Sequence, residues 1–214
     1  INLDSEEAGV VIVNSAGGGG TTYTIPFRPK ERSSRTALRV EVGGLMGGHS
    51  GVDIHLPRYN ANKLLAEGLV KLHDEYPIRL IKFQGGTRGN AIPRNAFAEF
   101  LVPRESVDKA ISRVNEWGKG INRSDERGLS VTVSQVHPKP AAPVHETEKM
   151  IKLVSRIPFG PKSWSPDYNG LVQTSNNNGI VKTEGKQFTV SVYSRTSNSK
   201  DFYDNQRILF ELGE

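Results

Sequence analysis

The stretch LRVEVGGLMGGHSGVDIH, residues 38–55, joins an alternating segment to a glycine-rich turn. Alternation of apolar and polar residues is typical of a half-buried strand. The glycines that follow permit φ > 0 and let another backbone approach closely. We predict that the strand runs into a turn that presents one imidazole, His49. An imidazole placed in this way can donate a hydrogen bond to an oxygen that gains charge in acyl chemistry; a turn histidine with no chemical task is the alternative.

Strand and helix patterns extend on both sides of this turn. Alternation and β-branched residues predict strands over residues 9–13, 21–27, 36–42, 78–83, 96–102, 129–136, 179–183 and 187–193. Apolar residues at helical spacing predict helices over residues 60–76, 105–117 and 144–157 and from Asp201 onward. We interpret Gly17–Gly20 as a flexible connection and residues 157–168 as a loop. Strands interleaved with a few helices favour an α+β fold, with antiparallel sheets and helices on one face.

Composition bounds the class of protein. The chain has 214 residues, of which 36% are hydrophobic, so it can bury a core as one large or two small domains. No stretch approaches the roughly 18 apolar residues of a membrane helix, and we expect no membrane partner. The absence of cysteine excludes disulfides and thiolate metal sites and fits a reducing cytoplasm. A chain that begins with Ile1 favours a segment excised from a longer protein.

A net charge of +5 raises the question of nucleic-acid binding. The densest basic stretch, residues 28–35, is short, is interrupted by Glu31 and has only Phe27 as a nearby aromatic residue. Such a run is typical of a solvated surface loop, so we expect no nucleic-acid partner. The glycine pairs are not followed by Gly-Lys-Ser or Gly-Lys-Thr, which argues against a phosphate-binding P-loop.

Five segments in order resemble the lid domain of bacterial aminoacyl-histidine dipeptidases, which are zinc exopeptidases of the aminoacylase and carboxypeptidase G clan. They are residues 44–55, 60–65, 85–94, 178–183 and 194–197, and the opening residues 1–7 are similar as well. The resemblance implies ferredoxin-like units joined into one extended sheet. It also implies a cytoplasmic dipeptidase with two zinc ions, a dipeptide substrate such as Xaa-His, and a homodimer formed through the lid.

The same resemblance implies a division of the chain. Residues 1–8 would be a stub of the catalytic domain and residues 201–214 a return segment toward it. Residues 9–200 would be the lid and dimerisation domain, either as one unit or as two α/β subunits, about 9–125 and 126–200.

The five histidines do not form a recognisable metal site. They lack the paired helical His-Glu-x-x-His arrangement, and His49 and His55 share no clear face. We expect His73 on the exposed side of its helix, while His137 and His145 flank a proline loop. A complete zinc site within the chain is therefore not predicted. The resemblance agrees, because it assigns the metal centre to a separate catalytic domain and leaves here only Asp4 as a metal ligand; a turn or helix-cap carboxylate is the alternative.

Three side chains carry the site that the resemblance implies. His49 would stabilise the tetrahedral oxyanion, often across a dimer interface. Asn90 would donate to the terminal carboxylate of the substrate, although an Asx turn explains it equally well. Arg195 would hold that carboxylate in two parallel hydrogen bonds, although an exposed strand-end arginine is commoner. Secondary candidates are Ser50, Asp53 and Arg94; Asp53 could orient His49 or His55, although the spacing does not fix that geometry.

Three hypotheses follow. The leading one is the lid of a zinc dipeptidase, inactive as an isolated segment. The second is a non-catalytic carboxylate-binding or dimerisation module, and the third is a basic nucleic-acid-binding domain, whose binding would depend strongly on salt.

Overall fold

The computed structural model describes residues 15–31, 34–122 and 124–214. Its strands, in chain order, are β1 (Gly17–Pro26), β2 (Arg35–Gly43), β3 (Gly48–His49), β4 (Arg79–Gly85), β5 (Ala91–Ile92), β6 (Ala96–Pro103), β7 (Ser130–Val136), β8 (Gly160–Trp164), β9 (Val172–Glu184) and β10 (Gln187–Thr196). Its α-helices are α1 (Ala61–Glu75), α2 (Val107–Gly120), α3 (Val144–Arg156) and α4 (Ser199–Glu211). A short 3₁₀ turn, Arg104–Ser106, leads into α2.

The centre of the chain forms a ferredoxin-like unit. Its main strands and helices follow the order β2, α1, β4, β6, α2, β7, and the four strands lie side by side as β4-β6-β2-β7. This is the split βαβ arrangement with antiparallel neighbours. The prediction of a ferredoxin-like α+β unit is confirmed.

The rest of the chain extends this sheet. β9 pairs with β4, and β10 and β1 follow outward, giving the order β1-β10-β9-β4-β6-β2-β7 with β8 added beside β9. Pro26 ends the edge strand β1, as predicted, where a missing N–H costs no ladder bond. Buried side chains of all four helices join one hydrophobic cluster with the sheet. The helices therefore share one face of an antiparallel sheet, which confirms the predicted architecture.

Alternation in β2 decides which side of the sheet faces the helices. Leu38, Val40 and Val42 are buried in the main cluster. Arg39 lies between them on the other side, where it pairs with Glu99 at 3.2 Å. A small second cluster on that other side contains Ala37, Leu101 and Ala141. The main cluster draws on residues from Phe27 to Leu209; the predicted division near residue 125 stays a prediction, and residues 1–8 lie outside the described residues.

Helix α1 follows from its sequence. The Asn60 side chain caps it by accepting hydrogen bonds from the backbone N–H groups of Asn62 and Lys63, at 3.0 and 3.2 Å. Pro77 follows its end and cannot extend it. None of the described helices is long and apolar enough to cross a membrane.

The expectation for His73 is wrong. It lies on α1 but is only 7% exposed, because α3 packs alongside and covers it. Burial lowers the pKa of the imidazole, although the neighbouring carboxylates Glu148 and Asp74 act in the opposite direction. The α1 sequence showed helical spacing but not which helix would cover this face.

The glycine run was also misinterpreted, since Gly17–Gly20 is the first part of β1 and pairs with β10. A Cβ at Gly18 would lie 2.8 Å from the Tyr193 hydroxyl, and one at Gly19 would lie 2.8 Å from the Phe202 ring. Absence of side chains thus makes room for aromatic residues that approach from β10 and α4. Glycine here allows close packing rather than flexibility.

Part of the predicted loop over residues 157–168 is a strand. β8 pairs with β9, which begins at Val172 rather than at residue 179. The extra part of β9 contains three consecutive asparagines, a residue depleted in strands. Their side-chain amides donate to Asn205, to the Gly89 carbonyl and to the Val154 carbonyl, so partners outside the strand satisfy them. The strand predicted over residues 9–13 lies outside the described residues.

Candidate functional site

The glycine turn is fixed by a small β-ribbon. β3 pairs antiparallel with β5, so that His49 lies opposite Ala91. The Ser50 N–H donates to the Asn90 carbonyl at 2.9 Å. Two of the predicted site segments are therefore joined through their backbones, which places Asn90 beside the histidine turn.

Arg195 reaches the same place from a distant strand. Its Nη2 lies 3.5 Å from His49 Nε2, although the two residues are 146 positions apart. On β10, Val190 and Val192 are buried among the helices, so alternation directs Arg195 to the opposite side of the sheet. A Cβ on Gly51 would lie 3.2 Å from both the Arg195 Nε and the His49 ring. The turn backbone thus packs directly against both side chains.

Backbone contacts indicate which ring nitrogen of His49 carries the proton. The Val52 N–H points to His49 Nδ1 at 3.3 Å, which makes Nδ1 the acceptor. In a neutral imidazole the proton then lies on Nε2. Nε2 faces the Arg195 guanidinium, which only donates. Two donors side by side are matched by an anionic ligand that places an acceptor oxygen beside each of them.

The arginine has spare donor capacity. Its Nε is buried and has no hydrogen-bond partner within the described part of the chain. None of the ion pairs found among residues 15–31, 34–122 and 124–214 involves Arg195. Its guanidinium carbon lies 5.0 Å from the centre of the Tyr193 ring, which flanks it. A buried guanidinium donor without a partner is costly, and an anionic group would supply the partner that Arg195 lacks here.

The Asn90 side chain is exposed, and its loop is held by buried asparagines. Asn177 donates to the carbonyls of Gly89 and Ala91, both at 2.8 Å. Asn60 donates in turn to the Asn177 side chain at 3.3 Å. Sequence reasoning missed Asn177; three asparagines inside a strand pattern were the available signal, because such polar residues need specific partners there.

Glu126 is a second residue that sequence reasoning missed. Its carboxylate is fully buried and accepts the backbone N–H groups of Met46, at 2.7 Å, and Tyr59, at 3.1 Å. These two amides flank the histidine turn. Glu126 stands between charged neighbours in a short loop, which is typical of a surface residue, so the sequence offered no signal for it.

The secondary candidates surround the turn. Asp53 accepts the backbone N–H of His49 at 2.8 Å, and Arg94 donates through Nε to the Leu45 carbonyl at 3.0 Å. The Ser50 hydroxyl is buried without a partner among the described residues. Asp53 therefore contacts the main chain of the turn.

A metal site does not form in the described part of the chain. Within it, no group of three or more His, Asp and Glu side chains is close enough to hold an ion. Asp4, the proposed metal ligand, lies outside the described residues. The described residues therefore do not fit a metal ion by themselves.

Comparison with known proteins agrees with this arrangement. Residues 40–126 match a family described as a peptidase dimerisation domain. The chain is 36% identical over 186 residues to the cytosol non-specific dipeptidase of Escherichia coli, covering 85% of this chain and 38% of that protein. The crystal structure of an aminoacylhistidine dipeptidase from Vibrio alginolyticus superposes with a TM-score of 0.88 and 28% identity, covering 92% of this chain and 41% of that one. This chain thus spans well under half the length of either relative.

Proposed function

We propose, on the premise that this chain is a peptidase dimerisation domain with the lid fold of the aminoacylhistidine dipeptidases, that it recognises substrate for a dipeptidase. The observation that carries the proposal is the convergence of His49 and Arg195 on one point. Two hydrogen-bond donors from distant parts of the chain meet there, and no residue that the structure describes places an acceptor between them. A peptide substrate supplies two candidate oxygens, its terminal carboxylate and the oxyanion formed at its scissile carbonyl.

Arg195 is assigned to the carboxylate. Its planar guanidinium can form two parallel hydrogen bonds with a carboxylate, which gives both affinity and orientation. An internal peptide lacks the free carboxylate and would leave the arginine unpaired. This would explain why such a site acts at the free C-terminal end of a peptide rather than at internal bonds.

His49 is assigned to the oxyanion. Its Nε2, which lies 3.5 Å from Arg195 Nη2, would donate to an oxygen that gains charge during attack on the scissile carbonyl. Removal of one such donor typically lowers turnover by about 100- to 1,000-fold. The Asn90 amide, exposed beside the turn, is assigned to the substrate end as a further donor.

The remaining parts of the reaction belong to the rest of the protein. Activation of water by zinc would require ligands beyond the described residues, and Asp4 is the one that the resemblance implies. We infer that the chain forms a homodimer, in keeping with its match to a dimerisation domain. We also infer that the whole protein acts in the cytoplasm, since the name of the Escherichia coli relative assigns that protein to the cytosol. Preference for Xaa-His peptides is part of this proposal. We expect the isolated 214-residue chain to be inactive.

Kinetics of the whole protein test these roles. His49→Ala should lower kcat by about 100-fold or more with a small change in KM, whereas Arg195→Ala should mainly raise KM. Matched controls are His55→Ala, an exposed histidine near the same turn, and Arg207→Ala, an exposed arginine. Parental kinetics in both site variants would refute the roles. Peptide binding without hydrolysis by the parent protein would favour the non-catalytic carboxylate-binding module.

A further inference from the structure

We propose that the Asp53–Arg58 ion pair orients the His49 side chain, and that it does so by holding the main chain of the turn. The inference rests on the proposed role of His49. Asp53 Oδ1 lies 3.3 Å from Arg58 Nη2, and the two side chains are only 27% and 17% exposed. Partial burial makes such a pair more than a solvated surface contact.

The pair holds two consecutive peptide groups. Asp53 Oδ2 accepts the His49 N–H at 2.8 Å, and Arg58 Nη1 donates to the Gly47 carbonyl at 2.5 Å. Those two groups belong to the peptide planes on either side of Gly48. Since the two backbone dihedrals of a residue relate its flanking planes, an ion pair that binds both planes fixes the conformation of Gly48.

Gly48 is the residue whose conformation needs this support. Its φ is 143°, a region that residues with a side chain rarely adopt. A Cβ there would lie 2.2 Å from Arg58 Nη1 and 2.7 Å from Asp53 Oδ2. The ion pair therefore occupies the space that a side chain at Gly48 would fill. Its hydrogen bonds restrict the backbone of Gly48, which has no side chain to restrict it.

Further anchors hold the turn on both sides of Gly48. Glu126 holds the Met46 amide before it, and the Asn90 carbonyl holds the Ser50 amide after it. With both sides anchored, the dihedrals of Gly48 set the direction in which the His49 side chain leaves the turn. Neither charged side chain hydrogen-bonds to the imidazole within the described part of the chain, so Asp53 and Arg58 are positioning residues rather than catalytic ones.

Kinetics of the whole protein separate positioning from general stability. Asp53→Ala and Arg58→Met should each lower kcat by about 10- to 100-fold, because a displacement of about 1 Å at a reacting group can cost 100-fold. KM should stay within about twofold, since no hydrogen bond or ion pair in the described part of the chain joins Asp53 or Arg58 to Arg195. Asp53→Asn and Arg58→Lys, which keep one hydrogen bond each, should lie between these variants and the parent. Glu41→Gln, which breaks an exposed ion pair with Arg39, is the matched control and should leave kcat unchanged.

The decisive variant combines Asp53→Ala with His49→Ala. If Asp53 acts through His49, its removal from a protein that already lacks the imidazole lowers kcat by less than about twofold further, as expected for residues that act as a unit. A loss in the His49→Ala background as large as in the parent would overturn the inference.

A second readout does not depend on activity. Hydrogen exchange of the His49 amide in the whole protein should accelerate at least about tenfold in Asp53→Ala and in Arg58→Met, because each loses part of the support of this turn. An unchanged exchange rate in both variants would overturn the inference. If His49→Ala keeps parental kcat, the proposed function fails, and the exchange measurement still decides whether the ion pair holds the turn.

Discussion

Replacement of Glu126 by glutamine tests how the histidine turn is anchored. The two carboxylate oxygens of Glu126 each accept one backbone N–H, from Met46 and from Tyr59. Glutamine keeps one oxygen but places an NH₂ group against the other amide. Two donors then face each other at a fully buried position.

The magnitude follows from these contacts. A hydrogen bond to a charged group contributes about 1.5–3 kcal/mol, and a buried donor left without an acceptor costs about 1–3 kcal/mol. Some relaxation of the loop offsets part of this, so we expect Glu126→Gln to lower the free energy of unfolding by about 2–4 kcal/mol. For a chain of this size, 1 kcal/mol corresponds to about 2–4 °C in Tm, which gives a decrease of about 4–16 °C.

Urea denaturation of the 214-residue chain at pH 7, with thermal denaturation beside it, measures this loss. The matched control is Glu116→Gln, which removes a charge from an exposed ion pair with Arg113 and should change the free energy of unfolding by less than about 0.5 kcal/mol. A Glu126→Gln variant as stable as the Glu116→Gln variant would refute the assignment of Glu126 as a buried anchor.

Three further predictions concern residues outside the turn. Gly19→Ala should lower the free energy of unfolding in urea by about 1–3 kcal/mol, because its Cβ would meet the Phe202 ring at 2.8 Å; Gly20→Ala, whose Cβ has no neighbour nearer than 3.9 Å, should not. Burial holds the pKa of His73 below its usual 6.5 in the folded protein, so the unfolded chain binds more protons and stability is lost as pH falls through 6.5; His73→Gln should show a smaller loss between pH 7.5 and 5, and an equal loss would contradict this. Burial raises the pKa of Tyr23 from 10.0 to about 12, so stability is lost as pH rises above 10; the difference in ultraviolet titration between the parent and Tyr23→Phe should place this phenol near 12, and a value near 10 would refute it.

The features that depend on local patterns could be predicted from the sequence. Alternation in β2 and helical spacing in α1, ended by Pro77, gave those elements to within a residue or two. The order of strands and helices then restricts the sheet to a few arrangements. Together with the resemblance, this predicted the ferredoxin-like unit.

Features that depend on distant partners could not be predicted in the same way. The sequence predicted that Gly19 is flexible, because the contact with the Phe202 ring cannot be seen from the glycine run itself. The sequence predicted that His73 is exposed, because the spacing within α1 does not show that α3 covers it. These contacts cannot be predicted from local sequence, because they form between segments that lie far apart in the chain.

The candidate site shows the same division. The glycine turn around His49 and its pairing partner near Asn90 were visible as motifs, whereas its approach to Arg195 is a product of tertiary folding. The resemblance pointed to all three residues, but their roles stay predictions. Glu126 and Asn177 support the turn through backbone contacts, and such contacts leave no motif of residue type and spacing.

The most direct test of the central claim compares hydrolysis of a dipeptide with hydrolysis of its C-terminal amide by the whole protein. If Arg195 holds the substrate carboxylate, the parent protein strongly prefers the free dipeptide. Arg195→Met then loses about 100-fold or more in kcat/KM for the dipeptide, in line with about 3 kcal/mol for a charged bidentate contact, and changes little toward the amide. An Arg195→Met protein that keeps the parental preference for the free carboxylate would contradict the account.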